Sequence, residues 1–418
     1  MKVRFFYQHF WPDSPPYANM LRSIGAHLVK QGHQVKVLTG QPSYRNHDLA
    51  AEQKPGEVVD GINVKRIRSF PGAAKFRILS NLQKVLFPIR ATFNILMSRL
   101  SGNADDVIVA ATIPPVVNGL CALVAARLTG AMFVYHMQDI YPEVGVCGGL
   151  WSKSSFRYRF LKYTDSFVTR HADRCIVLSD DMKSTLLDRG VNKNRVVVIQ
   201  NIMLSSNDTG SSLNTINSNN KKESPFRIIF AGNLGRFQGL ENIVEGFKLF
   251  DERFSDKSAI ELLFLGDGVA REGLIEYANK HPRIEFRPFL PVADAQRCIE
   301  ECDAGIVSLA PDIYRYAYPS KTMTYLGLGL PLFVVIEEHS NLAVDVVKYD
   351  LGVVADRSPE SIAESLERLL AWLQTPSADQ KRILEHYQNL YSTETTLTRW
   401  DEMLFGLNVA SDVAKEYQ

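Results

Sequence analysis

The stretch Tyr318-Pro-Ser-Lys-Thr-Met-Thr-Tyr-Leu-Gly-Leu-Gly-Leu-Pro331 runs straight into an apolar segment, Leu332-Phe-Val-Val-Ile336. The first part reads as a short helix and the second as a buried strand, the repeating unit of α/β sheets. Pro319 suits the first helical turn, where a missing N–H costs nothing, and Ser320 offers its hydroxyl to the orphan amides. Gly329 and Pro331 stop the helix. Free amides, the positive end of the helix dipole and the Lys321 ammonium then converge on one point. That is an anion site, and a diphosphate is its natural occupant. A capped structural helix with a solvated lysine is the alternative on this segment alone.

The same unit recurs in both directions. On either side of it, strands are expected over 226–231, 260–265, 284–286, 305–309 and 353–355, and helices near 241–250, 271–279, 293–301 and 360–372. The first half repeats the alternation, with strands over 3–7, 34–38, 106–111, 132–136, 174–178 and 196–200 and a first helix over 17–31. A hairpin over 58–67 turns at Asp60-Gly61. Between the halves, the polar segment 204–224 cannot bury a core and reads as a linker. The expected fold is therefore α/β, two Rossmann-like doubly wound domains facing an interdomain cleft. The domains are residues 1–203 and 225–390, and 391–418 is read as a C-terminal helix whose return to the first domain the sequence permits.

Bulk properties narrow the function. A chain of 418 residues is long enough for two cores. Its 45% apolar and 22% charged residues are ordinary for a globular protein, and a net charge of +1 argues against global nucleic-acid binding. The five scattered cysteines lack the spacing of a zinc site and read as reduced packing residues. The chain opens on a strand, so no signal peptide is expected. The apolar window 115–137 is interrupted by Arg127 and Gly130 and reads as helix-then-strand, not as a membrane span.

Two groups of residues carry candidate chemistry. Gly232-Asn233-Leu234-Gly235-Arg236 follows a buried strand and precedes a helix, so its backbone can approach a phosphate and Arg236 can grip it bidentately. Paired with Lys321, and with Ser320 and Thr322 beside it, this loop is read as the diphosphate site; a glycine turn with a surface arginine is the plain alternative. In the first half, His136, Asp139 and Glu143 form the polar end of an apolar strand, where doubly wound sheets bind ligands. The carboxylates of Asp139 and Glu143 suit an acceptor hydroxyl. For Gly266-Asp267-Gly268, a tight turn with Asp267 bonded to its own backbone is favoured.

An ordered set of motifs gives these readings a family. Phe230-Ala-Gly-Asn-Leu-Gly-Arg-Phe-Gln-Gly239, the Gly32-His33 turn, Ala172-Asp-Arg-Cys-Ile-Val-Leu-Ser179, Phe264-Leu-Gly-Asp-Gly268, Arg287-Pro-Phe289, Cys302-Asp-Ala304 and Pro319-Ser-Lys321 fall in order along nearly the whole chain. Together the set resembles the retaining glycosyltransferases of family 4, which have the GT-B fold, and most of all those that build O-antigen and capsule. The resemblance implies a UDP-sugar donor, a polyprenyl-diphosphate-linked saccharide acceptor and no obligatory metal or other cofactor. It makes His136 the histidine that contacts the donor sugar, Arg236 and Lys321 the cations on the departing diphosphate, and Arg287 and Phe289 the loop around the base. Where the family has two glutamates, this chain has Tyr316 and Thr324. Where it has a Gly-Gly turn, this chain has His9-Phe-Trp-Pro-Asp-Ser-Pro-Pro-Tyr17, so Tyr17 and Asn19 are read as an altered acceptor wall. A UDP-sugar 2-epimerase or a non-catalytic scaffold of the same fold are the alternatives.

From Gly61 to Asn103 there is no acidic residue but eight basic ones, and 76–87 mixes basic and bulky apolar residues at helical spacing. A second basic-aromatic stretch spans 151–162. These suit an anionic membrane surface better than nucleic acid, for which no matching module is found; a core-facing amphipathic helix with a solvated basic side is the plain alternative. The expected location is cytoplasmic, peripheral at the inner face of the cell membrane.

Overall fold

Residues 1–13, 16–42, 53–68, 77–203, 225–235, 237–253, 260–375 and 378–406 are described by the computed structural model, apart from the side chains at 16, 77–81, 83 and 84. Arg236, the segment 204–224, Lys75, and the side chains of Arg77 and Lys84 therefore lie outside the described residues. The chain divides into two compact units, Met1–Gln200 with Thr396–Gln418, and Asn201–Thr395.

In the first unit the elements are β1 (Lys2–Phe6), α1 (Pro16–Lys30), β2 (Gln34–Gly40), β3 (Gly56–Val59), β4 (Ile62–Ile67), α2 (Arg77–Leu100), β5 (Val107–Ala111), α3 (Val117–Thr129), β6 (Met132–His136), α4 (Glu143–Cys147), α5 (Phe156–His171), β7 (Arg174–Val177), α6 (Asp180–Asp188) and β8 (Val196–Val198). The sheet order is β3-β4-β2-β1-β5-β6-β7-β8. Every pairing is parallel except that of β3 with β4. That hairpin turns at Asp60 and Gly61, with φ of 50° and 79°, the pair of positive values that a type I′ turn requires.

Consecutive residues of β1 point to opposite faces of this sheet. Phe6 meets Phe87 of α2, with ring centroids 5.9 Å apart. Phe5 meets Trp400, on a helix contributed by the far end of the chain, at 6.5 Å. Helix α2 continues well beyond 76–87, through Pro88 to Leu100. An interior proline costs a helix about 3 kcal/mol. Burial of Phe87, Ala91 and Ile95 on the helix face that meets the sheet offsets that cost.

The second unit contains β9 (Phe226–Ala231), α7 (Leu240–Arg253), β10 (Ile260–Leu265), α8 (Arg271–Ala278), β11 (Ile284–Arg287), α9 (Val292–Glu300), β12 (Ala304–Ser308), α10 (Lys321–Gly327), β13 (Leu332–Val335), α11 (Asn341–Lys348), β14 (Gly352–Ala355), α12 (Pro359–Trp372) and α13 (Gln380–Tyr391). Its six strands are all parallel, in the order β11-β10-β9-β12-β13-β14. Phe230, Phe264 and Phe333 lie in its core beside Phe247 and Phe250 of α7. The last helix, α14 (Thr393–Phe405), carries Trp400.

Each sheet has one place where the direction of strand succession reverses, β1 beside β5 in the first and β9 beside β12 in the second. Ligands of doubly wound sheets bind outside the carboxyl ends of the strands at such a point.

Candidate functional site

In the second unit, β9 and β12 pair over only two positions, Ile228 with Ala304 and Ile229 with Gly305, and then part. Tyr325 of α10 fills the opening. Its ring takes the space above Gly305, where a Cβ would lie 2.3 Å from the ring. Its hydroxyl donates to the Ile229 carbonyl at 3.3 Å and accepts from the Ala231 amide at 2.8 Å. Leaving such a buried backbone group unpaired costs about 1–3 kcal/mol, so Tyr325 holds the crevice open without that loss.

Beyond this wedge the loop after β9 lies backbone-to-backbone on the loop after β10. Leu234 donates to the Asp267 carbonyl at 2.9 Å, and Ala270 donates to that of Leu234 at 3.0 Å. Gly266 and Gly268 have φ of 140° and 158°, and a Cβ on either would strike the backbone of Gly232 or Leu234. The Asp267 carboxylate accepts from the Gly268 amide at 2.8 Å, the turn-forming role favoured from the sequence. These two glycines are required by loop-on-loop packing.

Gly232 is different. At φ 124°, its missing Cβ leaves room for Lys321, whose Cε would stand 3.1 Å from a Cβ placed there. The Lys321 ammonium sits 4.4 Å over the ring of Phe230. Among the described residues it has no hydrogen bond and no ion pair, and burial pulls its pKa down to about 8. Beside it, the Thr322 hydroxyl is buried with no partner among the described residues. Asn233 is exposed, and the Gly235 amide is taken by the Gln238 side chain at 3.0 Å. One half-buried cation and one unsatisfied hydroxyl thus stand at the switch point.

The other candidates of this unit fall around it. Ser320 is exposed and does not cap α10, contrary to expectation. Its φ and ψ of −58° and −21° are already helical, whereas a capping side chain needs an extended backbone to reach forward. The Thr322 amide is satisfied instead by the Pro319 carbonyl at 3.1 Å. The stop at Gly329 is as expected: Gly329 and Leu330 donate to Leu326 and Tyr325, the paired bonds of a Schellman end. Thr324 and Tyr316 are half-buried. Arg287 is clamped by the Glu285 carboxylate at 2.7 and 3.1 Å, which holds its guanidinium well above its ordinary pKa, and Phe289 is exposed.

In the first unit, Asn118 at the start of α3 ties β1 to β5, donating to the Ala111 carbonyl at 2.7 Å and to that of Phe6 at 3.3 Å. The side-chain oxygens of Gln8, Thr112 and Asn118 are buried there without partners among the described residues. Val116 is held at φ 64° and ψ −51°, with Val117 donating to Pro115 at 2.7 Å. This is a γ-turn of the strained hand on a β-branched residue, costing on the order of 1–3 kcal/mol, and such strain gathers at functional sites.

His136 ends β6 and is 1% exposed. Its Nδ1 lies 2.8 Å from the Tyr17 hydroxyl and its Nε2 lies 3.0 Å from the Gln138 amide. Tyr17 and Trp400 pack edge-on to its ring. Burial pulls the imidazole down to about 3, so it is neutral, and it pushes the Tyr17 phenol up. The amide nitrogen of Gln138 donates to Nε2, which leaves the proton on Nδ1 facing the Tyr17 oxygen. Asn19, two residues along α1 from Tyr17, is half-buried.

The two carboxylates part company. Asp139 is half-buried and has no hydrogen bond or ion pair among the described residues; burial raises it to about 6. Glu143 is buried in an ion network with Arg189 and with Lys162, the latter at 3.2 Å. Arg189 also binds Asp165 at 2.6 Å, so Glu143 tethers α4 to α5 and to the end of α6. Nothing in the local sequence announces Arg189, Asp165 or Tyr325 as important, because their partners are distant in the chain. Among the described residues no three His, Cys, Asp or Glu side chains gather as a metal cluster. No described helix is long and apolar enough to cross a membrane.

Comparison with known proteins matches these two units to two family models. Residues 17–201 match the Glycosyl transferase 4-like domain, and residues 225–371 match Glycosyl transferases group 1. The chain is 26% identical over 321 residues to the "Probable glycosyltransferase WbjE" of Pseudomonas aeruginosa, covering 73% of this chain and 75% of that protein. Among solved structures, Anabaena Alr3699/HepE in complex with UDP superposes with a TM-score of 0.67 at 14% identity, over 97% of this chain and all of that one. WaaG, a glycosyltransferase involved in lipopolysaccharide biosynthesis, does so with a TM-score of 0.64 at 14% identity, over 97% and 100%.

Proposed function

We propose, from the premise that this chain belongs to the GT-B glycosyltransferases, with a 4-like domain followed by a group 1 domain, that it moves a sugar from UDP to a saccharide carried on polyprenyl diphosphate. The product is a surface polysaccharide precursor, and the anomeric configuration is retained. One observation carries the donor half: the uncompensated Lys321 ammonium packed on Gly232 at the β9/β12 switch point. A diphosphate supplies the counter-charge that Lys321 lacks, and Thr322 offers it a hydroxyl. The UDP in a structural relative supports uridine as the base, and the lipopolysaccharide role of another supports the acceptor class.

In the reaction, the acceptor hydroxyl attacks the anomeric carbon on the face that UDP leaves. The bond from that carbon to the phosphate oxygen breaks, the bond to the acceptor oxygen forms, and the hydroxyl proton passes to the departing diphosphate. Lys321 stabilises the negative charge that grows on the leaving group, the part of the barrier that fixed positive charge lowers. Arg236 is assigned to the same diphosphate and Gly232, Asn233 and Gly235 to its approach. Neutral His136 contributes position to the donor sugar, not charge. No metal or other cofactor is assigned to the reaction.

Incubating the purified protein with UDP-sugars and membranes, with and without EDTA, tests this reading. Label should move into lipid as UDP is released, with EDTA changing the rate less than twofold or so. UDP release without lipid-linked product, a freely released isomeric sugar nucleotide, or no turnover with any donor each overturns it.

Asp139 gives a second test. It is assigned to accept the hydrogen bond of the incoming hydroxyl, which requires its ionised form. Activity should therefore fall as pH drops through about 6, the value to which burial raises the carboxyl. Asp139→Asn should lower kcat by about 10²-fold and remove that acidic limb from the pH–rate profile. An unchanged profile rules Asp139 out.

A further inference from the structure

Three neighbouring helices of the first unit turn apolar side chains outward. Along α2, Leu82, Val85, Ile89, Phe93, Met97 and Leu100 are all exposed, at spacings of three and four that keep them on one side. A helix at a protein surface ordinarily shows water its polar side, whereas α2, which buries Phe87, Ala91 and Ile95 on its other side, is apolar on both. Helix α3 packs beside α2, where the Thr92 hydroxyl donates to the Cys121 carbonyl at 3.0 Å, and it exposes Val124 and Leu128. Helix α5 follows, joined to α3 by Arg127 bonding the His171 carbonyl. It exposes Phe156, Phe160, Tyr163 and Phe167, again on one side, with Phe156 83% and Tyr163 68% exposed. Isolated exposed apolar residues need no explanation, but side-by-side stripes on adjacent helices do.

The charges on the same helices decide what covers them. Helices α2 and α3 contain no acidic residue. The one acid of α5, Asp165, is fully buried and paired with Arg189. Among the described side chains, the exposed charges are Arg90 and Arg99 on α2, Arg127 on α3, and Arg157, Arg159, Lys162 and Arg170 on α5. A surface that is apolar and exclusively basic complements an interface that is apolar beneath and anionic on top. We infer that the α2–α3–α5 face docks on an anionic lipid bilayer, its apolar stripes entering the headgroup boundary and its arginines meeting lipid phosphates. The face overlaps the stretches 76–87 and 151–162 expected from sequence and extends them along α2 past Pro88 and onto α3. It deepens the reading of a lipid-linked acceptor and rests on it for purpose, but its test needs no turnover, so the two can fail separately.

The test is co-sedimentation of the full chain with vesicles of phosphatidylglycerol and phosphatidylcholine, and with phosphatidylcholine alone. Wild type should bind the anionic vesicles more tightly, and added salt should weaken that binding. The double variant Phe93→Glu, Phe160→Glu should lose at least about tenfold in partitioning, because each change removes buried apolar area and adds repulsion. Val347→Glu, at a similarly exposed apolar position on α11, should bind as wild type does. Both variants alter exposed side chains, and an unchanged melting temperature and unchanged UDP affinity confirm that they fold. Equal binding by wild type and the double variant overturns the assignment. So does a wild-type dimer in solution that the same double substitution dissociates, since the face would then cover a second copy.

Discussion

Replacing Lys321 by methionine is expected to lower kcat/KM for the nucleotide-sugar donor by about 10²–10³, the usual loss when one preorganised charge-stabilising group is removed. The same change should raise the melting temperature of the free protein. Both effects have one cause. The ammonium stands over Phe230 with no carboxylate beside it, and burial pulls it from 10.5 to about 8. The free protein carries an unfavourable charge that only an anionic ligand relieves, and methionine fills a similar volume without it. The sign with pH follows. Between about 8 and 10.5 the unfolded chain holds a proton that the folded one has lost, so wild-type stability rises with pH across that window. The Lys321→Met stability curve should lack this rise. Donor affinity runs the other way. It should be flat below about 8 and weaken above it by up to about tenfold per unit, since the diphosphate binds the protonated amine. Calorimetric titration of UDP across that range and melts of both proteins measure the affinity and stability effects, and steady-state kinetics with the donor measures kcat/KM. A variant with wild-type donor affinity and turnover removes Lys321 from the diphosphate site.

The Lys321 loop was legible in the sequence because its signals are local: a proline and a lysine at one end, a glycine at φ 74° and a proline at the other. The alternating strands were legible for the same reason, since buried parallel strands announce themselves as short apolar runs. Reading stopped where chemistry depends on residues far apart in the chain. Ser320 has the composition of a cap, but only the backbone angles say whether its hydroxyl can reach. Tyr325 looks like any aromatic on a buried helix face. Its role appears only with Gly305 and the Ala231 amide opposite it, 20 and 94 residues away. Glu143 and Asp139 look alike in sequence, and only the arrival of Arg189 on one of them separates an ion-network member from an unpaired carboxylate. The apolar stripe of α2 was half-seen, because the reading ended just before Pro88 and the helix does not.

The network around Arg189 leads to the second large effect. Arg189→Met should destabilise the protein by about 3–5 kcal/mol near neutral pH, the usual result of removing one member of a buried ion pair. The guanidinium donates to Asp165 at 2.6 Å, to the Tyr141 carbonyl at 3.0 Å and to Glu143. Without it, among the described residues, Asp165, which is fully buried, keeps only the Tyr135 hydroxyl at 3.3 Å, and Glu143 keeps only Lys162. The loss should depend on pH, and its direction is fixed. Burial already raises Asp165 to about 6 in spite of Arg189, against an ordinary 3.8. The folded state thus binds this proton more tightly than the unfolded chain, and its ionisation costs stability as pH rises through that interval. Removing Arg189 pushes the carboxyl further up. The variant can then protonate the orphaned acid, so its deficit relative to wild type should shrink as pH falls through about 6 and be largest above it. Urea unfolding of both proteins at about pH 8 and about pH 5 reads the difference. Adding Asp165→Asn and Glu143→Gln to Arg189→Met should recover most of the loss at the higher pH, because it removes the charges and not merely their partner. If the triple variant is no more stable than the single one, the cost lies in packing around the Arg189 stem and the electrostatic account of this network fails.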